Sequence, residues 1–131
     1  MGLKYLWDTN TVIYYLQNQF STSGEKFINN TALNYQPIIS VITEIELLCW
    51  NMVDTEALVL INEFIDNSAV LALNHEVKLK TIEVRKNYGL KLPDAVIAAT
   101  AITADLILIS NDKKGFNKVA ELNSVNPFTI L

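Results

Sequence analysis

The sequence predicts an α/β fold, with a central, mostly parallel sheet of about four to five strands and helices on both faces, in one domain spanning residues 1–131. Two observations predict it. Short apolar runs alternate along the chain with longer segments of helical periodicity, and no repeat, low-complexity tract or linker interrupts the series. With half of its 131 residues apolar, the chain can also bury most of the surface that its unfolded form exposes.

The elements follow in order. Lys4 to Trp7 reads as a short strand, and Asp8 and Thr9 can cap a helix that carries Val12, Ile13 and Leu16 at helical spacing. A polar break at Ser21 to Ser23 leads into a second helix reaching Leu33, and Pro37, Ile38 and Ile39 form a buried strand. Ser40 is placed to cap the next helix, in which Val41, Ile45, Leu48 and Met52, flanked by Ile42 and Cys49, form one apolar stripe that predicts a core-facing helix. Beyond Asp54 and Thr55 come a helix to Asp66, a strand through Val70, Leu71 and Ala72, and a helix opened by Asn74 and closed near Gly89. Pro93 suits the first position of the next helix, which is apolar nearly all round from Ala95 to Ile102 and is expected to be buried. A strand from Leu106 to Ile109 then ends in the polar turn Ser110, Asn111, Asp112.

Composition narrows the function. The net charge of -4, from 14 acidic and 10 basic residues, gives no positive field to draw in nucleic acid nonspecifically, although bound divalent ions would reverse the sign around clustered carboxylates. The single cysteine, Cys49, excludes an internal disulfide and a thiolate zinc cluster, and its place on the apolar stripe predicts a buried, inert thiol. No basic leader and no apolar run approaching the roughly 18 residues of a membrane span is present, so a soluble, cytoplasmic protein is expected.

Four acids fall at or near junctions of apolar runs with helix starts or loops: Asp8, Glu46, Asp94 and Asp112. Carboxylates gathered there bind hard divalent cations, and parallel sheets place their sites beyond the carboxyl ends of the strands. Asp8 and Asp112 also have plain roles as an N-cap and a turn residue. Asp94 lies in the first turn of a helix that reads as buried, where the dipole favours a carboxylate but an unpaired charge is costly, so a metal or cationic partner is expected. Glu44 and Glu46 lie about 100° to either side of their helix's stripe, and periodicity does not choose between them. His75, the only histidine, reads as a surface residue at a helix start, which removes a two-histidine ribonuclease mechanism.

The segments Leu6-Trp7-Asp8-Thr9-Asn10, Ser40-Val41-Ile42-Thr43-Glu44-Ile45-Glu46-Leu47, Pro93-Asp94-Ala95-Val96-Ile97-Ala98-Ala99-Thr100-Ala101 and Leu108-Ile109-Ser110-Asn111-Asp112-Lys113-Lys114-Gly115-Phe116 together resemble the successive signatures of PIN-domain ribonucleases. More narrowly they resemble the VapC toxins of bacterial toxin–antitoxin pairs. The resemblance implies that Asp8, Glu46, Asp94 and Asp112 are the catalytic, metal-binding acids, and it returns Glu44 to a surface charge. Thr9 and Ser110 match hydroxyl positions that orient a carboxylate or a metal-bound water. Gly115 stands where many relatives carry an acid or histidine, and Ser110 replaces a commoner threonine.

What the resemblance implies chemically is an endoribonuclease dependent on Mg²⁺ or Mn²⁺. The ion relieves carboxylate repulsion, activates a water and neutralises the phosphate, leaving 5′-phosphate and 3′-hydroxyl ends. Lys113, Lys114 and Lys118 are candidates to contact RNA phosphates, with a solvated lysine face as their other role. Tyr14 and Tyr15 offer rings to bases, with core or dimer interface the alternative. The implied partners are a small VapB-like antitoxin and a second copy of the chain. Two other classes stay open: a haloacid-dehalogenase-like phosphatase using Asp8, since Asp8-Thr9-Asn10-Thr11 echoes its motif but lacks the second acid, and a noncatalytic α/β interaction module.

Overall fold

The computed structural model describes residues 5–18, 20–50, 54–111 and 115–129. Its elements are β1 (Tyr5–Trp7), α1 (Thr9–Leu16), α2 (Thr22–Asn34), β2 (Ile38–Ser40), α3 (Val41–Leu48), α4 (Thr55–Asp66), β3 (Ala69–Leu71), α5 (His75–Tyr88), α6 (Leu92–Thr103), β4 (Ile107–Ile109) and β5 (Ser124–Val125), with 3-10 turns at Phe116–Lys118 and Pro127–Thr129. The five strands form one sheet in the order β3-β2-β1-β4-β5, every pair parallel.

That order sets the location of the site. The chain builds outward from β1 to β2 and β3, then crosses back to lay β4 and β5 along the other side of β1. The direction of building reverses between β1 and β4, which pair Tyr5 with Ile107, Leu6 with Leu108 and Trp7 with Ile109. In an open parallel sheet the crevice beyond the carboxyl ends of such a strand pair is where ligands bind.

Alternation along the strands divides the core between the two faces. Leu6 and Leu108 join Val84, Leu90, Ala95, Ile97, Ala98, Ala101, Phe116 and Val119 on the face covered by α5 and α6. Trp7 and Ile109 join Val12, Ile28, Ile39, Leu47, Ile61 and Phe64 on the face covered by α1, α2 and α4. Every residue of α6 from Asp94 to Ala101 is buried, as its nearly uniform apolar sequence predicts, because α5 packs over its far side through Val77, which meets Val96 and Ala99. Alanines at 95, 98, 99 and 101 let α6 lie close to its neighbours.

The helix starts follow the sequence. Asp8, Ser21, Ser40, Asp54 and Asn74 each accept a backbone N–H at the first turn of their helix, and Gly89, at φ +69°, ends α5 in the left-handed conformation. Pro93 occupies the second position of α6 rather than the first.

Two expectations are corrected. The apolar stripe of α3 does not face the core: Ile45 is 51% and Leu48 49% exposed, whereas the buried residues are Thr43 and Leu47. The helix is turned so that Leu47 enters the Trp7 cluster and Thr43 reaches a hydroxyl partner on α1, which satisfies a hydroxyl that is costly to bury alone. Cys49, expected buried, is exposed for the same reason, since it follows Leu48 around the outer face. The helix ends at Leu48, and Met52 lies outside the described residues.

Candidate metal and nucleic-acid site

β1 passes into α1 with no loop, so Asp8 is at once the continuation of a strand and the cap of a helix. Its backbone is extended, at φ -65° and ψ 154°. The Asp8 N–H donates to the Ile109 carbonyl at 3.1 Å, and the Ser110 N–H donates to the Val125 carbonyl at 3.0 Å, so both residues extend the sheet's ladders one step past the strands. Asp8 and Ser110 thereby stand side by side at the carboxyl edge of the switch point.

The Asp8 side chain is fully buried, which a carboxylate tolerates only with hydrogen-bond partners. Its Oδ1 accepts the Thr9 N–H at 2.9 Å, and its Oδ2 accepts the Ser110 hydroxyl at 3.0 Å. An ordinary cap reaches to the second or third helical N–H. Taking the first one keeps the carboxylate turned along the sheet edge toward Ser110.

Thr9 extends the row to a second acid. Its Oγ1 donates to Glu46 Oε1 at 2.6 Å and lies 3.0 Å from Thr43 Oγ1. Thr43 and Glu46 are three residues apart on α3 and so share one helix face. Glu46, not Glu44, thus joins the network, and the Glu44 carboxylate has no hydrogen bond or ion pair among the described residues.

Asp94 occupies the first turn of α6 and is 8% exposed. α6 packs on α3, β2 and β4, the elements that lead into Glu46 and Ser110. Asp112, Lys113 and Lys114 lie outside the described residues. Lys118 is exposed at the end of a 3-10 turn, with its Nζ 3.8 Å from where a side chain at Gly115 would begin. The glycine that departs from the family pattern therefore has a cation beside it.

Three further polar residues support this edge. Thr11 donates its hydroxyl to the Ile109 carbonyl at 2.7 Å, Thr43 meets Thr9, and Asn126 Nδ2 donates to the Asn111 carbonyl at 3.3 Å. Only Thr43 carries a sequence signal, as the first residue of Thr-x-x-Glu. His75 is exposed at the start of α5, as expected of a cap-proximal residue. Tyr15 packs on Trp7 and Phe64, and Tyr14 on Phe20 and Phe128, so both rings are engaged within the chain.

Among the described residues no three of His, Cys, Asp and Glu converge tightly enough to enclose a metal ion. The side chains of Asp8, Thr9, Thr43, Glu46 and Ser110 nonetheless offer only carboxylate and hydroxyl oxygens, the donor set of a hard cation. Mg²⁺ keeps several waters and is usually held by one or two carboxylates together with substrate phosphates, so these residues fit it without forming a closed cage.

The signature of the PIN domain matches residues 5–122. Among solved structures, the chain is similar to the DNA-bound VapBC of Salmonella typhimurium, with 24% identity and a TM-score of 0.78 over 96% of this chain and 99% of that one. It is also similar to VapBC2 of Rickettsia felis bound to a DNA fragment from its promoter, with 19% identity and a TM-score of 0.79 over 95% and 98%. A toxin–antitoxin complex from Klebsiella pneumoniae aligns with 26% identity and a TM-score of 0.74 over 97% and 100%. No curated protein matches by sequence.

Proposed function

Because the chain belongs to the PIN-domain family, we propose that it is an Mg²⁺- or Mn²⁺-dependent endoribonuclease acting in the cytoplasm as the toxin of a toxin–antitoxin pair. The observation that carries this reading is the row Ser110, Asp8, Thr9, Glu46, hydrogen-bonded in sequence at the switch point of the sheet.

Asp8, Glu46, Asp94 and Asp112 are the proposed metal-binding and catalytic acids. A bound Mg²⁺ or Mn²⁺ supplies an activated water and charge neutralisation at the phosphate. The chain's own residues bind and orient. Ser110 and the Thr9 N–H hold the Asp8 carboxylate, and the Thr9 hydroxyl holds that of Glu46. The N-terminal dipole of α6 favours the Asp94 charge. Lys118, together with Lys113 and Lys114, is proposed to contact the phosphates that flank the cut.

The similar solved structures are named as VapBC or toxin–antitoxin complexes, and we take a small VapB-like antitoxin and a second copy of the chain as partners here. The half-exposed Ile45 and Leu48 of α3 and Leu58 and Val59 of α4 support a covered surface on this side of the molecule. No helix among the described residues is long and apolar enough to cross a membrane.

The test is a map of new 5′-phosphate RNA ends in bacteria after inducing the wild-type chain and, in parallel, Asp94→Asn. Discrete ends with growth arrest for the wild type alone support the proposal and identify the RNA. Identical maps at equal soluble expression count against it and favour a noncatalytic module. A phosphatase of the haloacid-dehalogenase type would instead form an acyl-phosphate on Asp8.

A further inference from the structure

Thr9 has one hydroxyl hydrogen and two oxygen neighbours, Glu46 Oε1 at 2.6 Å and Thr43 Oγ1 at 3.0 Å. An ionised carboxylate oxygen only accepts, so the Thr9 hydrogen goes to Glu46, and the bond between the threonines must be made with the hydrogen of Thr43. The direction is therefore fixed: Thr43 donates to Thr9, and Thr9 donates to Glu46. Successive bonds of one sense polarise and strengthen each other.

Thr43 is committed to this bond by its place in the helix. A helical threonine commonly returns its hydroxyl to the carbonyl three or four residues back, as Thr103 does to Thr100 at 3.3 Å and as Thr81 does to Val77 and Thr100 to Val96, both at 2.7 Å, and Thr43 makes neither bond. Thr43 is the third residue of α3, and the residue four before it, Ile39, belongs to β2. Thr43 is also fully buried, so bulk water does not compete for its hydroxyl. Both threonines are β-branched and stiff about χ1, whereas Glu46 is long, flexible and only partly buried.

We infer that Thr43 is a positioning residue, which fixes the Thr9 hydroxyl and through it holds the Glu46 carboxylate in one orientation for a divalent cation. This rests on the metal-dependent nuclease reading and names a residue through which that site is built.

The test is the affinity of the purified full chain for Mn²⁺ alone, read from the electron paramagnetic resonance signal of free Mn²⁺. Thr43→Val, which keeps the shape and removes the donor, is expected to weaken binding about tenfold, the low end of the effect of groups that orient metal ligands. Thr43→Ser is expected to restore it. Thr9→Val with Thr43→Val should be no weaker than Thr9→Val alone, because Thr43 acts only through Thr9. Wild-type affinity in a folded Thr43→Val, loss in Thr43→Ser equal to that in Thr43→Val, or additive losses in the double variant each overturn the assignment. If Thr43→Val does not fold, Thr43→Cys, with a similar volume and a weak donor, must lose affinity, and wild-type binding in it overturns the assignment. A wild-type chain that binds no Mn²⁺ overturns the nuclease reading itself, and the role of Thr43 with it.

Discussion

Replacing Ser110 by alanine removes the hydroxyl that Asp8 Oδ2 accepts at 3.0 Å, at a carboxylate with no exposed surface. A hydrogen bond to a charged group contributes about 1.5–3 kcal/mol, so a loss of roughly 2 kcal/mol is expected. With an unfolding entropy of about 2.1 cal/mol/K per residue, 131 residues give roughly 275 cal/mol/K, and the midpoint should fall by about 7 °C. Thermal unfolding followed by circular dichroism in metal-free buffer measures this directly. Ser110→Thr keeps the donor and should retain RNA cleavage, which Ser110→Ala should reduce. A midpoint shift for Ser110→Ala below about 2 °C, or roughly 0.5 kcal/mol, would refute the claim that the hydroxyl supports the buried carboxylate.

Other perturbations probe the rest of the molecule. A Cβ at Gly24 would meet the Pro127 carbonyl oxygen at 2.5 Å, so Gly24→Ala should cost about 1–3 kcal/mol in urea unfolding and loosen the C-terminal turn. Asn in place of Ile45 or Leu48 should leave the stability of the monomer within about 0.5 kcal/mol in urea titrations at low protein concentration, the opposite of what a core-facing stripe requires. Glu83 and Glu121 raise the Lys80 pKa above 10.5 through hydrogen bonds at its Nζ. A raised lysine contributes stability below its unfolded pKa and loses it as pH rises through the folded one. Thermal scans should therefore show a Lys80→Met difference that is present at pH 9, fades above the ordinary lysine range and shrinks in high salt. Chelation with EDTA should stop RNA cleavage without unfolding the chain, with activity returning on addition of Mg²⁺.

How much of this was legible in the sequence varies by element. α6 could be read outright, since an all-round apolar run with a proline near its start has nowhere to go but the interior. Asp8 was legible because a strand end and a helix cap coincide there. The inward face of α3 was not, because hydropathy scores Thr43 as polar while a hydroxyl with a buried partner is at home in the core. β5 is two residues, Ser124 and Val125, and is a strand only because β4 pairs with it, which periodicity over so short a span does not reveal. Thr11 and Asn126 carry no pattern, since their partners are backbone carbonyls far along the chain.

The bond between Ser110 and Asp8 spans 102 positions, and the β1–β4 pairing beside it spans as many. Contacts of such high sequence separation form slowly, because closing so long a loop costs chain entropy before the contact is gained. During synthesis Asp8 leaves the ribosome early, with neither its hydroxyl donor nor the carbonyl that anchors its backbone. The nascent chain therefore holds no completed Ser110–Asp8 edge until β4 has been made, whatever part of the sheet is already paired.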